Sequence, residues 1–69
     1  MTRAVIVNGS KESLAAATIA ELLLARELAP DARGIAIALN GRLVPRAAWT
    51  TTPLREGDQV EIVRAMQGG

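Results

Sequence analysis

The 69-residue sequence contains no cysteine and no histidine, and Trp49 is its only aromatic residue. Disulfide bonds are therefore impossible, and zinc sites of the usual kind are not expected because they are built from cysteine and histidine. The same absences remove a thiolate nucleophile, an imidazole base and a serine–histidine pair. No segment has the glycine spacing of a phosphate-binding loop. We therefore expect a chain that is not an enzyme on its own.

The chain also lacks an excess of charge of either sign, since it has eight basic and seven acidic residues and a net charge of +1. The basic residues are spread along the chain, whereas nucleic-acid binding favours a clustered patch, often with stacking aromatic residues. The longest apolar-rich stretch, LAAATIAELLLA, has 12 residues and is interrupted by Glu21, which is too short and too polar to span a bilayer. No signal peptide is recognisable. We expect a cytoplasmic monomer that binds neither nucleic acid nor membrane.

What the sequence does have is a high apolar content, 49% of its residues, and two Asn-Gly pairs. A domain of this size without disulfides or metal must be held together by packing. The β-branched run over residues 5–7 leads into Asn8-Gly9, which is a strong hairpin signal because both residues accept positive φ. Residues 11–14 then form the predicted return strand.

A second hairpin is predicted from IAIALNG. Large side chains alternate with alanines over residues 35–39, the period-two pattern of a strand whose large side chains face a helix. The alanine face would leave a flat apolar surface suited to a partner. Asn40-Gly41 supplies the turn, Leu43 and Val44 follow it, and Pro45 ends the segment because it cannot donate to a ladder.

A helix is predicted over residues 19–28. Thr18 can act as the N-cap and Glu21, three residues later, completes a capping box, while Pro30 stops the helix. Arg26 projects onto the apolar arc of this helix, and we expect it to lay its stem along the sheet with its charged head in water.

The final segment predicts a short helical turn over residues 47–49 and a turn at Gly57-Asp58, in which Asp58 accepts bonds from turn amides. The last strand has Val60 and Ile62 on one face. This order of elements predicts an α+β sheet grasping one helix, with the last strand delivering the C-terminal segment. Five extended residues after it would reach about 17 Å.

Three segments carry a family resemblance: VNG after the first strand, ALNGRLVPRAAW in the middle and LREGDQVEIVRAMQGG at the end. Together they resemble the ThiS family, the sulfur carriers of thiamine biosynthesis. The resemblance implies a β-grasp (ubiquitin-like) fold, with a mixed sheet of four to five strands packed on one main helix. It also implies a domain over residues 1–64 and a flexible Gly-Gly tail over residues 65–69.

The function implied by this resemblance is that of a sulfur donor for the thiazole moiety of thiamine. A chain without cysteine cannot carry sulfur as a persulfide, so such a role must use the Gly69 carboxylate. That group needs adenylation and then attack by a sulfur nucleophile, which gives a thiocarboxylate. We expect no cofactor on this chain, with ATP and Mg²⁺ bound by the activating partner. The implied partners are a ThiF-like adenylyltransferase, a sulfur donor such as a cysteine desulfurase, and a ThiG-like thiazole synthase.

The predicted site is therefore the tail. Glycine can thread close to another protein's backbone and phosphates because it has no Cβ. Gly69 is the modified residue, and the rest of the tail and partner-binding arm is Ala65, Met66, Gln67 and Gly68. Candidate partner contacts are Arg64, Arg46 and Trp49, although a solvated charge for the arginines and a structural plug for the tryptophan are the alternatives.

Other functions remain open from the sequence. The chain could carry sulfur to another pathway of the molybdopterin type, or be a ubiquitin-like modifier conjugated to lysines through Gly69. It could also be a small structural domain with an incidental tail. The middle segment LNGRLVPRAAW favours a carrier over a modifier, because it matches the ThiS family.

Overall fold

The computed structural model describes residues 1–28 and 34–64. In these residues the predicted order of elements is confirmed. The elements are β1 (Arg3–Val7), β2 (Ser10–Leu14), α1 (Ile19–Ala25), β3 (Ile35–Leu39), β4 (Arg42–Val44), a 3₁₀ turn (Arg46–Ala48) and β5 (Gln59–Arg64). None of the helices in this part of the chain has the length and apolar character needed to cross a membrane.

The strands form one mixed sheet in the order β2-β1-β5-β3-β4. β1 and β5 run parallel, with Ile6 opposite Gln59 and Val7 opposite Val60, and the other neighbouring strands are antiparallel. β5, the last strand of the described residues, therefore lies in the middle of the sheet. A five-stranded mixed sheet packed on one helix confirms the predicted β-grasp architecture.

Both Asn-Gly pairs form the predicted hairpin turns. Asn8 and Gly9 have φ of 49° and 83°, and Asn40 and Gly41 have φ of 52° and 84°. Two consecutive residues with positive φ give the turn whose twist matches that of the flanking strands. Each turn joins an antiparallel pair, β1–β2 or β3–β4.

The start of α1 is also as predicted. Thr18 has extended backbone angles and its Oγ1 accepts a hydrogen bond from the Glu21 amide at 3.2 Å. In return, Glu21 Oε1 accepts from the amide of Ala17 at 3.0 Å. The return bond thus reaches the residue before the cap, and two amides at the helix start are satisfied.

The predicted end of α1 at residue 28 is wrong, because the helix ends at Ala25. Glu27 adopts a left-handed conformation with φ of 60°. Its amide donates to the carbonyl of Leu24 at 3.0 Å, and the amide of Leu28 donates to the carbonyl of Leu23 at 2.8 Å. This pair of bonds is the Schellman ending of a helix, in which the chain reverses at a left-handed residue that is usually glycine.

The core lies between α1 and one face of the sheet. On β3, Ile37 is fully buried while Ala36 is exposed, which confirms that the large side chains of this strand face the helix. The buried apolar residues are Val5, Val7, Ala16, Ile19, Ala20, Leu22, Leu23, Ile37, Val44, Trp49, Leu54 and Val60. Within the described residues, every buried side-chain polar atom has a hydrogen-bond partner.

Candidate functional site

The predicted reactive segment follows β5 directly. β5 is the middle strand of the sheet and ends at Arg64, which is paired with Ile35 on β3. Gly69 lies outside the described residues, and so do Ala65, Met66, Gln67 and Gly68. Their roles and the proposed boundary after residue 64 stay predictions.

The beginning of β5 is fixed by side chains from two turns. Asp58 Oδ2 accepts from the amide of Arg55 at 2.8 Å, which confirms its predicted role in the turn. Asn40, in the β3–β4 turn, accepts from the amide of Gln59 at 2.9 Å through Oδ1 and donates to Asp58 Oδ1 at 3.1 Å through Nδ2. The strand therefore starts in a defined position relative to the sheet.

The second half of β5 is held by the other Asn-Gly turn. Asn8 Oδ1 accepts from the amide of Ile62 at 2.8 Å, and Asn8 Nδ2 donates to the carbonyl of Ile62 at 3.3 Å. The sequence pattern predicts Asn8 only as a turn residue and does not predict these two bonds. A signal was present in the choice of asparagine, whose carboxamide can both donate and accept.

A shallow hollow of about 250 Å³ lies beside the end of β5. Its wall on the helix side includes Arg26, which forms a salt bridge and a two-pronged hydrogen-bonded pair with Glu12 on β2. Arg26 thus reaches the sheet with an exposed charged head, as predicted, and the ion pair with Glu12 is an addition to that prediction. The lining residues are Asn8, Arg26, Leu28, Ile62 and Arg64.

The three candidate contacts outside the tail differ in accessibility. Arg64 is exposed at the end of β5. Arg46 is exposed too and lies over the Trp49 ring, with its Cζ 5.4 Å from the ring centroid. Trp49 is only 2% exposed, and its Nε1 donates to the carbonyl of Val44 at 2.9 Å, which favours the structural interpretation of this side chain over a partner contact.

Arg46 and Arg64 follow or end strands that run in the same direction. Val44 on β4 is opposite Ile37 on β3, which in turn is opposite Ile62 on β5. β4 and β5 therefore run in the same direction, and the chain leaves β4 toward the end of the sheet at which Arg64 lies. The register thus gives β4 and β5 the same direction, and Arg46 follows β4 in the 3₁₀ turn.

The sheet face opposite α1 carries an exposed apolar surface. Val63 is paired with Ala36, and Ala38 is paired with Leu43 on one side and with Glu61 on the other. The four apolar side chains therefore share one face across β5, β3 and β4, and Glu61 lies on the same face. Val63 is 58% exposed and Leu43 is 73% exposed. We call this set, Ala36, Ala38, Leu43 and Val63, the apolar sheet surface. It includes the last residue but one of β5 and is therefore continuous with the start of the tail.

Comparison with known sequences and structures places these features in a family. The model of the ThiS family matches residues 5–69. The chain is 37% identical over 63 residues to the sulfur carrier protein ThiS of Thermus thermophilus, which covers 91% of this chain and 95% of that protein. It is 33% identical over 64 residues, 93% of its own length, to a thiazole synthase of Paramagnetospirillum magneticum, of which it spans 19%.

Solved structures agree with these matches. The crystal structure of the thiamine biosynthesis protein ThiS from Geobacter metallireducens superposes with a TM-score of 0.77 at 33% identity, covering 96% of this chain and 99% of that one. The solution NMR structure of a thiamine biosynthesis protein from the same organism gives a TM-score of 0.76 over 96% of this chain and 87% of that one. The chain belongs to the ThiS family, the sulfur carrier proteins of thiamine biosynthesis.

Proposed function

We propose that this chain carries sulfur as a thiocarboxylate on Gly69 and donates it for assembly of the thiazole moiety of thiamine. The observation that carries the proposal is the family match, which runs through the Gly-Gly pair up to residue 69. The fold supports it, because β5 leads into the tail from the middle of a well-anchored sheet. Since the sequence has no cysteine, the terminal carboxylate is the group on which a sulfur atom can be carried.

The chemistry requires two steps at the Gly69 carboxyl group. A carboxylate oxygen attacks the α-phosphorus of ATP, and pyrophosphate leaves, which gives an acyl-adenylate. A sulfur nucleophile, written in its simplest form as hydrosulfide, then adds to the acyl carbon. AMP leaves and one proton is lost, which gives the thiocarboxylate. In this proposal the side chains of the carrier do no chemistry, and ATP and Mg²⁺ are bound by the activating enzyme.

Three partners follow from these steps: a ThiF-like adenylyltransferase, a sulfur donor such as a cysteine desulfurase, and a ThiG-like thiazole synthase. The last is supported by the relative named thiazole synthase, which contains a segment similar to this chain within a much longer polypeptide. We propose that the activating enzyme recognises the apolar sheet surface. Leu43 and Val63 expose apolar area there, and Val63 is two residues from the start of the tail.

The test is the intact mass of the protein isolated from cells that make thiamine. Exchange of one oxygen for one sulfur, located to Gly69 by fragmentation, is the expected result. In vitro, the purified protein with its adenylyltransferase, ATP and Mg²⁺ should support exchange of labelled pyrophosphate into ATP, while a chain ending at Gly68 should not. Covalent adducts of the chain on lysines of other proteins, without the sulfur-bearing form, would instead make it a modifier.

A further inference from the structure

The carboxamide of Asn8 takes the place of a main-chain group in the β1–β5 ladder. Along this parallel pair, the amide of Ile6 donates to the carbonyl of Asp58 and the amide of Asn8 donates to the carbonyl of Val60, both at 2.9 Å. In a regular parallel ladder, the next bond would join the Asn8 carbonyl to the Ile62 amide. The backbone turns away at Asn8, where φ is 49°, and Oδ1 accepts from Ile62 instead, at 2.8 Å.

The side-chain acceptor of Asn8 extends the hydrogen bonding of β5 on the β1 side by one more position, to Ile62. Successive residues of a strand direct their backbone groups to alternate sides, so the amide and carbonyl of Ile62 face β1 and those of Val63 face β3. The Asn8 carboxamide bonds both backbone groups of Ile62. Past Ile62, β1 has ended, and the pairing that continues to Arg64 is with β3 alone.

We propose that Asn8 is a positioning residue for the end of β5: its carboxamide holds β5 at Ile62 and so fixes the position of Arg64, after which residues 65–69 follow. The effect of Asn8 on the reaction with the activating enzyme rests on the proposed adenylation of Gly69. An arm that starts from a fixed strand has fewer conformations to lose when the activating enzyme binds it. Loss of the carboxamide should therefore weaken binding of the tail by the activating enzyme rather than slow the chemical step.

The chain offers a matched pair of variants. Asn8→Gly removes both side-chain bonds to Ile62 while glycine keeps the positive φ of the turn at no steric cost. Asn40→Gly does the same in the other Asn-Gly turn, where the side chain bonds Gln59 and Asp58 at the beginning of β5. Both substitutions add the same backbone freedom to the unfolded chain. Any difference between the variants therefore depends on which end of β5 has lost its side-chain hydrogen bonds.

The first measurement is made on the protein alone, by NMR. In Asn8→Gly, the amide of Ile62 should exchange with solvent about two- to tenfold faster than in the natural protein, as expected for loss of its hydrogen bonds. The ¹⁵N relaxation of residues 65–69 should show larger amplitudes of motion. Asn8→Asp keeps the Oδ1 acceptor but loses the Nδ2 donor. The exchange rate of its Ile62 amide should lie between the rates in the natural protein and in Asn8→Gly. Asn40→Gly should leave both the Ile62 amide and the tail unchanged.

The second measurement is steady-state adenylation. Asn8→Gly should raise KM for the carrier about two- to fivefold with kcat unchanged, because the cost of ordering the arm falls on binding, and Asn40→Gly should match the natural protein. Unchanged Ile62 exchange and tail relaxation in Asn8→Gly would overturn the inference. An equal rise of KM in both variants would also overturn it. If the natural protein is not adenylated at all, the proposed function fails, and the NMR comparison alone decides the role of Asn8.

Discussion

Replacing Trp49 by alanine should bring this domain close to the limit of its stability. The indole is 2% exposed and packs in the core between α1 and the sheet. Truncating a buried tryptophan to alanine costs about 3–5 kcal/mol through lost transfer free energy and the cavity left behind. A chain of 69 residues at about 0.05–0.15 kcal/mol per residue has a total unfolding free energy of about 3–10 kcal/mol. The loss is therefore comparable to the whole stability.

A second variant separates the packing of Trp49 from its hydrogen bond. Trp49→Phe keeps a large aromatic ring but removes the Nε1 donor, which leaves the carbonyl of Val44 without its 2.9 Å partner. Loss of a hydrogen bond of this kind costs about 1 kcal/mol, and the smaller ring adds a packing loss of similar size. We expect Trp49→Phe to remain folded and to lose about 1–2 kcal/mol of unfolding free energy.

Urea unfolding followed by far-ultraviolet circular dichroism measures both effects. Fluorescence is unsuitable because Trp49 is the only aromatic residue. With a slope of about 1 kcal/mol per molar urea for a domain this small, Trp49→Phe should lower the midpoint by about 1–2 M. An Ala variant with the midpoint of the natural protein would refute the core assignment. If that variant also bound the activating enzyme more weakly, Trp49 would be a partner contact after all.

Three further predictions concern the tail, the helix end and the apolar sheet surface. Adding one residue after Gly69 should abolish pyrophosphate exchange without changing the thermal midpoint. Full exchange by the extended chain would contradict the role of the Gly69 carboxylate. Gly68→Val should slow the exchange, because a β-branched residue restricts the backbone. Glu27→Gly should raise the unfolding free energy by about 0.5–1 kcal/mol, since it removes a left-handed non-glycine residue, and a loss of stability in urea would contradict the Schellman ending. Leu43→Asp should weaken binding to the activating enzyme in calorimetry, while Leu24→Asp, an equally polar change at a residue 59% exposed on α1, should not. Equal weakening by both would remove the apolar sheet surface as the docking site.

Much of the fold could be predicted because its local signals are strong. Each hairpin depends on an Asn-Gly pair that tolerates positive φ in both positions, and the start of α1 depends on Thr18 and Glu21, three residues apart. The end of α1 was missed because the left-handed position holds Glu27, where glycine would have marked the stop. A left-handed glutamate is indistinguishable in sequence from one more helical residue.

The sequence predicts a site in the tail, which stays a prediction, and gives no local indication of what supports β5. The Gly-Gly pair and the missing cysteines pointed to the tail, and the alternation on β3 predicted an apolar surface. The bonds from Asn8 to Ile62 could not be foreseen, since the two residues are 54 positions apart and meet only because β1 and β5 are parallel neighbours. Non-local pairing of this kind leaves no local pattern in the sequence.

The central place of β5 has a consequence for how the protein is made. The middle of the sheet pairs residue 6 with residue 59 and residue 37 with residue 62, so a nascent chain that stops before residue 59 lacks the strand that pairs with both hairpins. Such long-range pairing makes folding wait for the last strand to be synthesised. If the proposed activating enzyme binds the sheet, it would therefore bind only chains in which β5 has been added.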